Sequence, residues 1–284
     1  MIKLSPPESS GINLFEKIIE HKNLERRLRL ENIKDVVDTR FQEYHNKLRT
    51  LETVNPLDIF SNVEKEDLKS CYGDNVEFKK QEAVIQNMQS VAMQAVCPYC
   101  GIGEPVTLDH YLPKGIFPEF SILPINLVPC CDPCNRNKGE KWLENGVRRI
   151  VSFYNDDIPE YKFFFVDFIF EGNSIIPLID YKLEFIEEGS ITETIKMHYR
   201  DLDLFNRYDK QINDKLTGLY MEVIEGANYL SIEEQKANLK RRVNSLTNRF
   251  GGNYWEARLY DAAIESNFFE NCYSLQENVH IYSS

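Results

Sequence analysis

The chain has 284 residues and a mass of 33.3 kDa, with 42% hydrophobic, 12% aromatic and 27% charged residues, a composition that excludes a disordered or fibrous polymer. Its 33 Lys and Arg stand against 45 Asp and Glu, leaving a formal net charge of -12. So acidic a chain does not coat nucleic acid indiscriminately, because that binding comes from neutralising phosphates; any contact with DNA or RNA must be local or helped by a partner.

The opening residues, MIKLSPPESSG, carry one Lys and no apolar run before Pro6 and Pro7, so no secretory signal is expected. Apolar runs such as Phe163 to Val166 are soon broken by charge, which predicts no membrane span and a cytoplasmic location. Between 12 and 52, Ile33, Val36, Val37, Phe41, Tyr44, Leu48 and Leu51 recur every three or four residues and predict one or two long amphipathic helices. Pro56 interrupts that pattern, and a second helical tract is expected from Val76 to Ala95.

Beyond residue 150 the period changes. Phe163 to Ile169 and Ser174 to Phe185 are rich in Phe, Val, Ile and Tyr, are separated by Glu171-Gly172-Asn173, and read as a hairpin. Helical spacing returns through Leu204, Tyr208, Ile212, Leu216 and Leu219, and again from Ser231 to Phe250, where Ser231 and Glu234 form a capping-box pattern. Gly251-Gly252-Asn253 stops that helix, and a last one is expected from Trp255 to Asn267. The expected fold class is α+β and mostly helical. Its expected division is a helical region 1–95, a metal-rich module 96–150, a β hairpin segment 151–190 and a helical region 191–284.

Five of the seven cysteines, Cys97, Cys100, Cys130, Cys131 and Cys134, fall within 38 residues, which in a reducing compartment points to metal ligation. Cys97-Pro98-Tyr99-Cys100 and Cys131-Asp132-Pro133-Cys134 are two C-x-x-C pairs, each able to place two thiolates on one ion. Four sulfurs make a closed tetrahedral Zn2+ site with no position left for substrate, and such a site is structural. Cys130 could replace Cys131, but only Cys131 keeps the two-residue spacing to Cys134. The remaining Cys71 and Cys272 read as buried free thiols. The 30 residues between the pairs exceed the span of a simple zinc ribbon, so the interval has room for more than a scaffold.

That interval contains Thr107-Leu108-Asp109-His110-Tyr111-Leu112-Pro113-Lys114 and Asn126-Leu127-Val128-Pro129. Asn135-Arg136-Asn137-Lys138-Gly139 includes the residues after the last thiolate. A carboxylate beside the cluster's only histidine, followed by carboxamides and cations, is equipment for metal-assisted phosphodiester cleavage. From Cys97 to Trp142 the order and spacing resemble the HNH endonucleases, whose ββα-metal fold commonly carries a four-cysteine zinc scaffold. The resemblance implies Asp109 and His110 at the end of a first strand, Asn126 at the start of a second, and Asn135 on the following helix, an Asn where the family name has His.

The roles implied are specific. Neutral His110 would be general base, taking a proton from the attacking water, since an unperturbed imidazole is well populated as a base near neutral pH. Mg2+ or Mn2+ would sit on Asp109 and the Asn135 carboxamide oxygen, stabilising the leaving 3′ oxygen and giving 5′-phosphate and 3′-hydroxyl products. Asn126 would orient His110 and its loop, and Asp109→Ala is expected to abolish activity at little cost in stability. Arg136, Lys138 and Lys114 are candidate contacts to backbone phosphate, each weighed against a merely solvated side chain.

From Cys97 to Ile150 six basic residues balance six acidic ones, so this zone is neutral and the whole charge deficit lies outside it. Lys236, Lys240, Arg241, Arg242 and Arg249 form a second basic group, and Arg26, Arg27 and Arg29 a third; both read first as solvated helical faces. His21, His45, His198 and His280 lack ligand spacing and read as packing or surface residues, while Trp142 is expected to pack the module.

Gly-rich phosphate loops and G-x-S-x-G are absent from the sequence. Val151-Ser152-Phe153-Tyr154-Asn155-Asp156 and Tyr254-Trp255-Glu256-Ala257-Arg258-Leu259-Tyr260 are similar to phrases in accessory HNH nucleases of bacterial anti-phage systems, such as the Septu type. That likeness implies an ATPase partner subunit. The expected function is thus a metal-dependent DNA endonuclease, against two rivals: a non-catalytic zinc-ribbon adaptor that binds protein or nucleic acid, and a ribonuclease.

Overall fold

The structure, a computed structural model, describes residues 1–171 and 176–274. The N-terminal helical tract is divided more finely than its apolar spacing predicts. It forms α1 (Ile12–Glu20), α2 (Leu24–Asn32) and α3 (Lys34–Asn46). Asn23 opens α2 by accepting the Arg26 amide at 3.0 Å. Helix α4 (Asn62–Lys69), not expected from the sequence, starts at a capping box of Ser61 and Glu64. The tract expected as one helix from Val76 to Ala95 breaks into α5 (Val76–Asn87) and α6 (Val91–Ala95). At the break, Gln89 exchanges hydrogen bonds of 2.9 and 3.0 Å with the Ser5 backbone, and Ser90 caps the new helix.

The cysteine-rich interval holds β1 (Thr107–His110) and β2 (Leu127–Cys130), antiparallel with Asp109 opposite Val128 and His110 opposite Leu127. Helix α7 (Asp132–Lys138) follows at once and packs on β1, while α5 packs on β2. Two short strands, β3 (Leu143–Glu144) and β4 (Val147–Arg148), come next, and α8 (Ser190–Asp201) packs against β4.

Residues 2–158 and 189–202 make one compact unit; Met1, 159–188 and 203–284 make another. In the first unit, α3 and α4 both pack on the 3-10 turn Pro118–Phe120. Arg40 of α3 fixes that turn, bonding Glu119 at 2.8 Å and the Asn55 carbonyl at 2.8 Å, and it also pairs with Glu43. Arg40 and Glu119 are both buried, so each charge needs the other. The turn leads directly to Ser121, whose carbonyl faces the candidate site.

The second unit holds β5 (Phe164–Ile169) paired antiparallel with β6 (Leu178–Leu183), Phe164 opposite Leu183 and Ile169 opposite Leu178. This agrees with the expected hairpin strands, though Gly172, Asn173 and Ser174 lie outside the described residues. Helices α9 (Leu204–Gly226), α10 (Ile232–Phe250) and α11 (Trp255–Glu265) complete it, with α11 packed on both α10 and β5. The capping box of Ser231 and Glu234 forms as expected. The fold is therefore α+β, largely helical with small antiparallel pairs. Among the described residues no helix is long and apolar enough to cross a membrane.

Candidate functional site

Four thiols converge in the first unit. The Sγ atoms of Cys97, Cys100, Cys131 and Cys134 all lie within 4.8 Å of one another, and all four residues are buried. Zinc–thiolate bonds of about 2.3 Å place tetrahedral neighbours about 3.8 Å apart. The Cys100 and Cys131 sulfurs stand 3.7 Å apart.

The knuckle forms because Gly101 takes a left-handed φ of 69°, turning the chain so that Ile102 N–H donates to Cys100 Sγ at 3.4 Å. Gly103 is needed for a different reason: a Cβ there would lie 3.0 Å from Cys131 Cβ. Hydrogen bonds from Cys100, Cys134 and Cys97 pull the Cys131 thiol below its ordinary range, in the direction of thiolate. Cys130 stays outside the cluster, its thiol near Thr107 Oγ1 at 3.5 Å and pushed up by burial. The geometry therefore selects Cys131, and the donor set suits a structural zinc ion.

Asp109 and His110 are neighbours on β1, so strand alternation sends their side chains to opposite faces. Asp109 faces α7 and is 2% exposed. Lys138 Nζ lies 3.1 Å from each Asp109 oxygen and donates to the His110 carbonyl at 2.6 Å, while Tyr99 Oη donates to Asp109 Oδ2 at 2.9 Å. Asn135 points to the same face, but its amide donates to Thr107 Oγ1 at 3.2 Å. Both carboxylate oxygens already hold donors, one of them a cation. As arranged, Lys138 stands where a divalent ion on Asp109 would have to sit.

His110, 8% exposed, lies on the other face. Its Nε2 sits 2.9 Å from the Ser121 carbonyl, an acceptor only, so Nε2 carries the proton and Nδ1 presents the lone pair. The Tyr72 ring meets the imidazole edge-on at 4.5 Å, and Lys114 Nζ lies over that same tyrosine at 4.5 Å. Burial above all, with Lys114 adding to it, lowers the His110 pKa from its ordinary value to about 3, so the ring is neutral at neutral pH.

Asn126 is fully buried and acts on the loop rather than on the ring. Its oxygen accepts from Leu112 N–H at 2.8 Å and from Tyr44 Oη at 3.1 Å, and its amide donates to the Leu112 and Phe120 carbonyls at 3.1 and 3.2 Å. The imidazole tautomer is set by Ser121, and Asn126 holds the segment that presents Ser121. Trp142 packs edge-on against Phe117 at 5.0 Å in the same loop.

The cations expected to meet phosphate are differently placed. Lys138 is 0% exposed and committed to Asp109, so in this arrangement it presents no charge to solvent. Arg136 is exposed and paired with Asp132 one turn earlier. Lys114 is half-buried, and burial first and Lys69 second lower its pKa. The further basic groups are engaged: Lys236 with Glu270 and Lys240 with Asp261 at 2.8 Å, and Arg26 and Arg29 with Asp67 at 2.6 Å.

Sequence reasoning missed Tyr99, Tyr72, Lys138 as a partner of Asp109, and the Ser121 carbonyl. It also gave His198 no particular place. His198 is buried, its Nε2 2.8 Å from the Tyr99 carbonyl inside the first cysteine knuckle, and Val151 N–H lies 3.4 Å from Nδ1. His280 lies outside the described residues.

No family model matches the chain, and no solved structure matches it. It is similar to protein ea31 of Escherichia phage lambda, 26% identical over 245 residues that cover 78% of this chain and 81% of that protein.

Two variants separate scaffold from clasp. Cys100→Ser should lose the bound zinc and cost on the order of 5 kcal/mol or more; full zinc content and unchanged melting would contradict a four-thiolate site. Asp109→Ala, expected from sequence alone to spare stability, instead strands a buried ammonium and should cost about 3–5 kcal/mol in urea denaturation while zinc is retained. An unchanged unfolding midpoint would refute the clasp.

Proposed function

We propose that the chain is an HNH-type endonuclease that hydrolyses DNA phosphodiester bonds, with β1, β2 and α7 as a ββα module braced by zinc on Cys97, Cys100, Cys131 and Cys134. One observation carries this reading: a neutral histidine at the end of β1 has Nε2 fixed on the Ser121 carbonyl and its other nitrogen left to act as base. His110 Nδ1 takes the proton from a water as its oxygen bonds to phosphorus; the bond from phosphorus to the 3′ oxygen breaks and that oxygen takes a proton from solvent, giving 5′-phosphate and 3′-hydroxyl ends. Lys114, beside Tyr72, is the cation on the His110 face and contacts a phosphate oxygen there.

Arg136 offers a second phosphate contact. It borders an open depression of about 590 Å3 that is also lined by Lys141, Trp142 and Arg149. The Mg2+ or Mn2+ implied by the resemblance would have to displace Lys138 from Asp109, so no step here is routed through it. The ATPase subunit implied by the likeness of 151–156 and 254–260 to anti-phage nucleases belongs to the same proposal. It would supply the affinity for DNA that a chain of net charge -12 lacks.

The clasped Asp109 favours a second reading, a non-catalytic zinc adaptor, because it removes the anionic ligand that the enzyme reading expects. His110→Ala distinguishes the two. The enzyme loses cleavage of plasmid DNA by at least about 100-fold with zinc content and melting retained, whereas an adaptor cleaves nothing in either form. Matched single-stranded DNA and RNA substrates identify a ribonuclease, and cleavage undiminished in His110→Ala would refute the role of His110.

A further inference from the structure

Catalytic ββα modules as a class suggest a divalent ion between strand and helix, and the residues here disagree with that expectation in one specific way. The disagreement concerns what fills the space. Lys138 enters from the last turn of α7, carries no solvent exposure, and divides its ammonium between the two Asp109 oxygens, each at 3.1 Å, and the His110 carbonyl at 2.6 Å. An ammonium with three donors uses all of them on these three acceptors.

Tyr99 Oη, itself buried, closes the remaining side of the carboxylate at 2.9 Å. Asn135 donates its amide to Thr107, so the block on the site rests on Lys138 and Tyr99 alone. A divalent ion entering here would have to shed water and pull a buried lysine off the three acceptors it already holds. Mg2+ dehydrates reluctantly and keeps its site only where oxygen ligands are free.

We infer that Lys138 is a built-in cation in the place of a divalent ion: it closes the Asp109 site to Mg2+ and Mn2+ and ties β1 to α7 with a covalently supplied charge. On the endonuclease reading, on which this inference rests for what the site is for, hydrolysis at His110 then runs without a second metal ion. The positive charge near the attacked phosphate comes from Lys114 on the opposite face of β1. Lys138 is accordingly a positioning residue, holding the His110 backbone by its carbonyl.

The test reads metal occupancy and so does not depend on cleavage. Free Mn2+ is followed by electron paramagnetic resonance as it is titrated into the zinc-loaded full chain, into Lys138→Met, and into Lys138→Met/Asp109→Asn. The wild-type chain should take up no Mn2+ at Asp109 at millimolar concentrations. Lys138→Met should bind one ion at least about tenfold more tightly, and the double variant should lose it again. Should Lys138→Met not fold, wild type and Asp109→Asn decide alone.

Uptake of one Mn2+ by wild type that Asp109→Asn abolishes overturns the inference, as does a folded Lys138→Met that binds none. A chain that excludes Mn2+ and never cleaves nucleic acid upholds the inference and sinks the endonuclease reading. One that cleaves only with Mn2+ on Asp109 does the reverse.

Discussion

The convergence of four sulfurs is the constraint on which the first unit depends. It ties a knuckle at 97–103 to the start of α7 and thereby closes the 30 residues between the two C-x-x-C pairs into a loop of fixed ends. Closing such a loop has an entropic cost, and an ion held by the four sulfurs would supply free energy to offset it that two short strands could not. β1 and β2 are four residues each, too little sheet to be stable unaided. With the ends held, α7 can lie on β1 and the intervening turn can be packed by α3 and α4.

Strand alternation then divides the labour. One face of β1 carries Asp109, sealed by Lys138 and Tyr99 into a buried ionic group that serves cohesion. The other carries His110, neutral, with its ring set by a backbone carbonyl and walled by Tyr72. The buried ion pair and the neutral imidazole are thus separated by the thickness of a single strand. The chain of support behind the ring is long: Arg40 fixes Glu119, Asn126 fixes Phe120 and Leu112, and between them they aim Ser121.

The thiol cluster was legible because a metal knuckle demands two cysteines at one spacing, and the choice of Cys131 over Cys130 followed from the same rule. The Ser231 capping box and the hairpin strands were legible for similarly local reasons. What was not legible is long-range. The break between α5 and α6 depends on Gln89 meeting Ser5, 84 residues away, and a lysine 29 residues beyond Asp109 reads as a phosphate contact until the fold buries it. Backbone partners such as the Ser121 carbonyl leave no side-chain signature at all. Helix α4 escaped because it is eight residues long and mostly polar, too short for periodicity to register.

If His110 aims water at phosphorus, the transfer of oxygen isotope into the products reads it out. End-labelled duplex DNA is incubated with the zinc-loaded chain in 18O water, with and without an ATPase partner, and the products are weighed. The expected result is 18O in the 5′-phosphate and none at the 3′-hydroxyl. Labelled 3′-phosphate, or no product beyond that of a His110→Ala control, would contradict it.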